Sequence, residues 1–157
     1  MKELYILRHA KEEFNQNIND YDLHLSEQGS KDAKKIGEIL NKKKVIPDLI
    51  VSSPALRARE TAQIVAKQIN YKNHIMYNEV IYEAFLNELI ESISYTYDSV
   101  NSLLIVGHNP ALTALAITFT DFKEELKNSD LIKIEFDCNS WIDIDKNNSK
   151  FVEHLKI

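Results

Sequence analysis

The sequence predicts an α/β sandwich, in which a mostly parallel central β-sheet lies between layers of helices. Apolar strand-like runs alternate with amphipathic helical segments in the order β-α-β-α-β-α-β-α-β. Residues 3–7, 48–52 and 103–106 are short, almost continuously apolar runs, which is typical of parallel strands buried on both faces. With no internal repeat and no Pro/Gly-rich linker, we expect one domain over residues 1–157.

The helical segments are predicted from their caps and from apolar residues at helical spacing. Ser26 is expected to cap a helix after a long irregular loop at residues 10–25. Ser53 and Asn109 are each followed by a proline, so each is expected to be the N-cap of a helix that begins at that proline. Residues 84–97 predict a further helix.

The remaining strands are expected to be short, and some of them antiparallel. Residues 74–77 predict a short strand before the helix at 84–97. Three late segments also read as strands, at 131–136, 139–145 and 150–155.

Composition and charge exclude several classes of function. A net charge of −5 argues against nucleic acid as a partner, and no apolar run reaches membrane-spanning length. The single cysteine, Cys138, excludes an internal disulfide and favours the cytoplasm. No histidine pair has a recognisable zinc spacing, and there is neither a GxGxxG nor a GxxxxGK[ST] motif. We therefore expect no metal and no cofactor.

Arginine is rare in this chain, and its placement is informative. Of the 19 lysines and arginines, only Arg8, Arg57 and Arg59 are arginines. The planar guanidinium binds phosphate or carboxylate in a bidentate way that lysine cannot reproduce. Arg59 is two residues from Arg57 and should point to another helix face, at the surface or the rim of a site.

Three strands end in polar groups at what should be one edge of the sheet. The first ends in Arg8-His9, the second runs into a helix whose first turns carry Arg57, and the third ends in Gly107-His108. The carboxyl ends of parallel strands meet at one edge, where ligands bind, and helix N-termini there favour anions. The sequence therefore predicts a phosphate pocket.

The chemistry of such a pocket is phosphoryl transfer through histidine. A neutral imidazole is a competent nucleophile, and adjacent arginines disfavour the imidazolium form of His9. Attack by His9 would give a phosphohistidine, while His108 would stabilise the transferring oxygens.

The motifs resemble those of the histidine phosphatase superfamily, also called phosphoglycerate mutase-like, and in particular its short SixA-type phosphohistidine phosphatase branch. The resemblance is carried by LRHA at 7–10, LSEQG at 25–29, SSPALRARETA at 52–62 and VGHNP at 106–110. It implies a phosphoglycerate mutase-like fold, with His9 as the phosphorylated nucleophile. Arg8, Arg57 and His108 would form the rest of the phosphate pocket.

The resemblance leaves the general acid open. Family members use a glutamate between the second and third strands, where Glu79 and Glu83 are available, and Glu83 is slightly favoured. A phosphoramidate substrate would need no strong acid. The family pattern also matches Asn15 as a phosphate contact. Leu23 and His24 stand where many short members carry Arg-Pro.

Three functions remain open. The leading hypothesis is a metal-independent phosphatase acting on a phosphorylated substrate, specifically a phosphohistidine-bearing signalling protein. A small-molecule phosphomonoesterase on the same fold is the alternative within enzymes. A non-catalytic phospho-ligand sensor is the alternative outside them, and the intact nucleophile, His9, argues against it.

Overall fold

The computed structural model describes all 157 residues and contains four α-helices and one sheet of six strands. The strands are β1 (Lys2–Arg8), β2 (Leu49–Ser52), β3 (Met76–Tyr77), β4 (Ser102–Gly107), β5 (Leu131–Phe136) and β6 (Ser149–Leu155). The helices are α1 (Glu27–Lys42), α2 (Leu56–Gln68), α3 (Leu86–Ser94) and α4 (Ala111–Phe119).

The strand order is β3-β2-β4-β1-β5-β6. β3, β2, β4 and β1 pair in parallel, whereas β5 runs antiparallel to both β1 and β6. The predicted α/β sandwich with a mostly parallel sheet is therefore confirmed, and so is the antiparallel pairing of the late strands.

The two faces of the sheet pack against different helix pairs. Leu4 and Ile6 of β1 lie in a core cluster with α3 and α4, whereas Tyr5 and Leu7 lie in a second cluster with α1 and α2. Burying a leucine or isoleucine side chain contributes about 1.5–3 kcal/mol. Because helices cover both faces, every position of such a strand gains from being apolar, which explains the continuous apolar runs.

The helix starts agree with the sequence at α1 and differ at α2 and α4. Ser26 caps α1, its Oγ accepting a hydrogen bond from Gly29 N at 2.9 Å. α2 begins at Leu56 and α4 at Ala111, both later than predicted. Both expected caps still accept a backbone N–H, Ser53 Oγ from Ala55 N and Asn109 Oδ1 from Thr113 N, each at 3.2 Å. Each also has a tertiary partner: Ser53 Oγ lies 2.7 Å from His108 Nε2, and Asn109 Nδ2 donates to Leu126 O at 2.7 Å.

Two predicted elements need correction. The strand expected at 139–145 is wrong, because Trp141–Asp143 forms a single 3₁₀ turn. Trp141 is fully buried and donates its indole N–H to Val100 O at 2.7 Å. This segment therefore packs into the hydrophobic core and does not extend the sheet. The helix expected at 84–97 covers only Leu86–Ser94. No helix in the structure combines the length and the apolar character needed to cross a membrane.

The loop at 10–25 is held at both of its ends. Glu12 forms an isolated antiparallel bridge with Leu25, and Leu25 N donates to Glu60 Oε1 at 2.9 Å. α1 packs directly on the loop backbone, since a Cβ placed on Gly29 would lie 2.1 Å from Lys11 O. A 3₁₀ turn at Asp20–Asp22 interrupts the loop.

Candidate active site

The carboxyl ends of β1, β2 and β4 lie side by side. In the register of the sheet, Arg8 pairs with Gly107. His9 N donates to Gly107 O at 3.0 Å, and Ser53 N donates to Val106 O at 2.9 Å. The first residues after three adjacent strands, His9, Ser53 and His108, therefore meet at one edge, as the sequence predicts.

His9 is buried, with 4% of its surface exposed. Its Nδ1 lies 2.7 Å from Ala10 O, and a carbonyl oxygen only accepts, so Nδ1 carries the ring proton. The lone pair is therefore on Nε2. Thr61 Oγ1 accepts from Ala10 N at 3.0 Å and donates to Arg57 O at 2.7 Å, which joins the His9 turn to α2.

His108 lies beside His9, with 5.0 Å between the ring centroids and an interplanar angle of 53°. Its Nε2 is 2.7 Å from the hydroxyl oxygen of Ser53, and both residues are buried. Its Nδ1 is buried without a hydrogen-bond partner. Buried polar atoms without a partner are rare in proteins, and this one lies beside the candidate nucleophile.

Both imidazoles are held in the neutral form. Burial lowers the pKa of His9 to about 4, and the nearby charges of Arg57 and Arg8 act in the same direction. Burial, followed by His9 and Arg57, lowers the pKa of His108 to about 3. At neutral pH, His9 therefore has an available lone pair.

Arg8 is anchored by the segment 126–130, for which the sequence offered no motif. Arg8 Nη1 donates to Leu126 O at 3.0 Å, and the same carbonyl accepts from Asn109 Nδ2 at 2.7 Å. Asn128 Nδ2 donates to His9 O at 3.0 Å. Arg8 Nε is buried without a partner, as His108 Nδ1 is.

Arg57 lies in the first turn of α2 and is 8% exposed. Its Nη1 donates to Asp20 O at 2.7 Å, and its Nη2 donates to Asp20 Oδ2 at 3.0 Å. Its Nε lies 3.8 Å from Glu12 Oε2. The guanidinium predicted to grip phosphate is thus bound by two acidic residues of the loop at 10–25.

Asp20 has a second partner in Tyr82, whose hydroxyl donates to Asp20 Oδ2 at 2.7 Å. Burial and the Asp20 carboxylate raise the pKa of Tyr82 to about 12. Although burial opposes it, hydrogen bonds from Tyr82 and Arg57 lower the pKa of Asp20. Tyr82 also packs edge-on against His108, with 5.6 Å between ring centroids.

The structure places Glu83, the favoured acid, at the margin of the site. Glu83 is exposed and lines a cleft of about 310 Å³ with Tyr82, Phe85 and His108. Glu79, the alternative, accepts a hydrogen bond from the Tyr21 hydroxyl at 3.0 Å.

Asn15 lies on the exposed part of the loop, where its Oδ1 accepts from Asn17 N at 2.9 Å. It lines a second cleft, of about 470 Å³, with Glu12, Phe14 and Asp20. It has no hydrogen bond to Arg8, His9, Arg57 or His108, and it therefore lies outside the group of side chains that meet at the edge of the sheet.

Two further residues fall at the periphery. The guanidinium of Arg59 lies 4.0 Å above the ring of Tyr77, which agrees with the expectation of a surface or rim position. His24 is exposed, and its Nδ1 lies 3.3 Å from Glu60 Oε2.

Comparisons with known proteins agree with this fold. Residues 4–90 match the model of the histidine phosphatase superfamily (branch 1), a segment that includes Arg8, His9 and Arg57. A protein of Mycobacterium tuberculosis (strain ATCC 25618 / H37Rv), described as uncharacterized, is 34% identical over 111 residues. That alignment covers 71% of this chain and 68% of the relative.

Two solved structures share the whole fold. A protein of Agrobacterium tumefaciens assigned as the phosphohistidine phosphatase SixA has a TM-score of 0.85 at 25% identity, over 99% of this chain and 98% of that one. A protein histidine phosphatase SixA complexed with tungstate has a TM-score of 0.83 at 18% identity, over 98% and 96% of the two chains, which shows the fold alone.

The family model covers more than half of the chain, and the four quoted motifs stand in their expected order. The membership and enzyme class expected from those motifs are therefore confirmed. This chain belongs to the histidine phosphatase superfamily, is a phosphatase by that membership, and has the fold of the SixA-type branch.

Proposed function

We propose that the protein hydrolyses phosphohistidine on a signalling protein, without a metal, through a phosphohistidine formed on its own His9. The observation that carries this proposal is the hydrogen bond from His9 Nδ1 to Ala10 O, at 2.7 Å. It fixes the ring as the tautomer whose Nε2 carries the lone pair. Burial keeps that ring neutral, with a pKa lowered to about 4.

The reaction has two steps. In the first, the Nε2 lone pair of His9 attacks phosphorus, the N–P bond forms, and the bond from phosphorus to the leaving group breaks. The leaving imidazole of the substrate takes up a proton from the solvent. In the second, water attacks phosphorus, and the Nε2–P bond breaks to return its electron pair to Nε2. One proton of the water stays on the inorganic phosphate, and the other is released to the solvent. Nδ1 keeps its proton throughout, and the Glu12 carboxylate at 3.8 Å offsets the charge of the phosphorylated ring.

Arg8, Arg57 and His108 would hold the phosphoryl oxygens. Two of these residues have a buried polar atom without a partner, Arg8 Nε and His108 Nδ1, and a phosphate oxygen would supply an acceptor. The Arg57 guanidinium offers the fork geometry that suits phosphate. The proposal requires no metal, because two guanidinium groups offset the charge that develops in the transition state.

A protein substrate is favoured by the surface around the site. Phe14 and Phe85 are 79% and 73% exposed, and they line the two clefts that flank Asp20 and Tyr82. Phe85 shares its cleft with His108, and Phe14 shares its cleft with Asp20. Aromatic side chains are enriched on surfaces that bind another protein. The unpaired Cys138 fits the reducing cytoplasm as the compartment.

The test is phosphate release in the presence of a chelator, by the wild type and by His9→Gln. The substrates are a phosphohistidine-bearing protein and a panel of phosphomonoesters. Turnover of the phosphohistidine alone, and only by the wild type, supports the proposal. Faster hydrolysis of the esters would instead indicate a small-molecule phosphomonoesterase. Phosphate binding without turnover of either would indicate a sensor.

A further inference from the structure

The phosphate-binding edge of Arg57 is already bound by a residue of the same chain. Arg57 donates from Nη1 to the main-chain oxygen of Asp20 and from Nη2 to its carboxylate, at 2.7 and 3.0 Å. A phosphate bound in a bidentate way needs two such parallel N–H groups. Asp20 occupies the Nη1–Nη2 edge of the guanidinium, and Glu12 Oε2 lies 3.8 Å from Nε on the edge that remains. A phosphate that binds the Nη1–Nη2 edge therefore competes with Asp20 for the same donors.

The Asp20 carboxylate is held there by more than Arg57. Tyr82 donates its hydroxyl to Oδ2 at 2.7 Å, the same oxygen that accepts from Arg57. Tyr21, the next residue, packs edge-on against Tyr82 with 5.0 Å between ring centroids. Its hydroxyl donates to Glu79 Oε1 at 3.0 Å. The turn at Asp20–Asp22 is thereby held by contacts with Arg57, Tyr82 and Glu79.

The contact can nevertheless open, because Asp20 lies at the surface. Its side chain is 63% exposed, whereas that of Arg57 is 10% exposed. Releasing Asp20 therefore exposes little new surface of the carboxylate, and water replaces its lost hydrogen bonds. Arg57 stays fixed, since Thr61 bonds its main-chain oxygen and Glu12 lies near its Nε.

We propose that Asp20 is a built-in competitor of the phosphoryl group, which must leave Arg57 before phosphate binds in a bidentate way. This inference rests on the proposed function of the site. A phosphate that binds the Nη1–Nη2 edge must displace the Asp20 carboxylate. Its apparent affinity is therefore the intrinsic affinity multiplied by the fraction of molecules in which this edge is free. The return of Asp20 to Arg57 also favours release of the inorganic phosphate product.

The test uses inorganic phosphate as the probe, because its binding is measured without turnover. Dissociation constants are measured by calorimetry on the full chain for the wild type, Asp20→Asn and Tyr82→Phe. Asp20→Asn removes the competing charge, and we expect phosphate to bind about fivefold tighter. Tyr82→Phe keeps the charge and removes only the hydroxyl that holds it, and we expect about twofold tighter binding.

Asp22→Asn is the matched control. It removes one negative charge from the same turn, but the Asp22 side chain makes no hydrogen bond or ion pair. We expect its phosphate affinity to equal that of the wild type. The inference would be overturned if phosphate affinity rose equally in Asp20→Asn and Asp22→Asn and did not change in Tyr82→Phe. The effect would then be general charge repulsion.

Two further results would contradict it. Unchanged phosphate affinity in Asp20→Asn, in a protein that turns over phosphohistidine, overturns the competitor while the proposed function stands. If Asp20→Asn instead lost turnover at unchanged phosphate affinity, Asp20 would belong to the reacting groups. If neither the wild type nor Asp20→Asn bound phosphate, the proposed function would fail together with the inference.

Discussion

The Nδ1 atom of His9 lies 2.7 Å from the carbonyl oxygen of Ala10, the residue that follows it in the chain. This short-range contact orients the ring and selects its tautomer. The Ala10 turn is in turn held by Thr61 of α2, whose Oγ1 accepts from Ala10 N at 3.0 Å. The nucleophile is therefore positioned by backbone groups and by a neighbouring helix.

The two site histidines are expected to stay neutral well below the usual range for imidazole. Burial lowers the pKa of His9 to about 4 and that of His108 to about 3. An NMR titration should show both rings neutral at pH 5, with signals assigned by comparison with His9→Gln and His108→Gln. Titration of either ring near the ordinary value of about 6.5 would contradict the burial of the pair.

The same shifts make stability depend on pH. Between about pH 6.5 and pH 4 the unfolded chain binds more protons at His9 and His108 than the folded chain does, so the free energy of unfolding falls as the pH falls. Urea titrations over this range should show the decrease. His9→Gln should flatten it, and an unchanged slope in that variant would count against a depressed pKa.

Glu12 is expected to stabilise the phosphorylated form of His9. Its Oε2 lies 3.8 Å from both His9 Nδ1 and Arg57 Nε. Glu12→Gln keeps the shape and removes the charge, and kcat should fall by about three- to tenfold. Glu13→Gln, at the exposed neighbouring position, is the control and should keep the wild-type kcat. Equal effects of the two changes would mean that Glu12 acts only through net charge.

Ser53 is expected to position His108. Ser53→Ala removes the partner 2.7 Å from His108 Nε2 inside the protein, and this should cost about 1–3 kcal/mol of stability and about tenfold in kcat. Ser52→Ala is the matched control, since the buried Ser52 hydroxyl donates to Ser53 O at 2.9 Å and has no bond to His108. It should lower the melting temperature and leave kcat nearly unchanged. A similar loss of kcat in both variants would show a general effect of stability.

Glu83 is expected to matter for phosphomonoesters and not for phosphohistidine. An alkoxide leaving group needs a proton donor, whereas a leaving imidazole needs less help. Glu83→Gln should reduce ester hydrolysis by about tenfold or more and change phosphohistidine turnover less than twofold. Glu79→Gln is the control, because Glu79 is bound by the Tyr21 hydroxyl. Ester hydrolysis that falls only in Glu79→Gln would reassign the acid.

The sheet could be predicted from the sequence, and so could the meeting of Arg8, His9, Arg57 and His108 at its edge, because both predictions depend on local patterns. Apolar strands that end in Arg8-His9 and Gly107-His108 are visible in one dimension, and parallel pairing brings their ends together. The first residues of α2 and α4, which lie later in the chain than predicted, could not be found from local patterns. Ser53 and Asn109 are ordinary cap residues by type, and their tertiary partners decide their role.

The residues that the sequence analysis missed act through contacts between distant segments. Asp20 contacts Arg57 across 37 positions, and Tyr82 contacts Asp20 across 62. Asn128 likewise reaches His9 O from 119 residues away. These side chains lie in segments without helical or strand periodicity. The Asn and Asp residues at 15–22 indicate a loop, and the Asn-Ser-Asp composition of 128–130 is typical of a turn, but neither pattern indicates a tertiary partner.

The central claim is that the phosphoryl group passes through His9. The most direct measurement is a rapid alkaline quench during turnover of a phosphohistidine-bearing protein, followed by intact mass and peptide mapping of this enzyme. The mechanism predicts a transient enzyme species that is heavier by one phosphoryl group, and peptide mapping should locate this group on His9. No such species should form in His9→Gln. Turnover without any phosphorylated enzyme under single-turnover conditions, or a phosphoryl group on another residue, would contradict it.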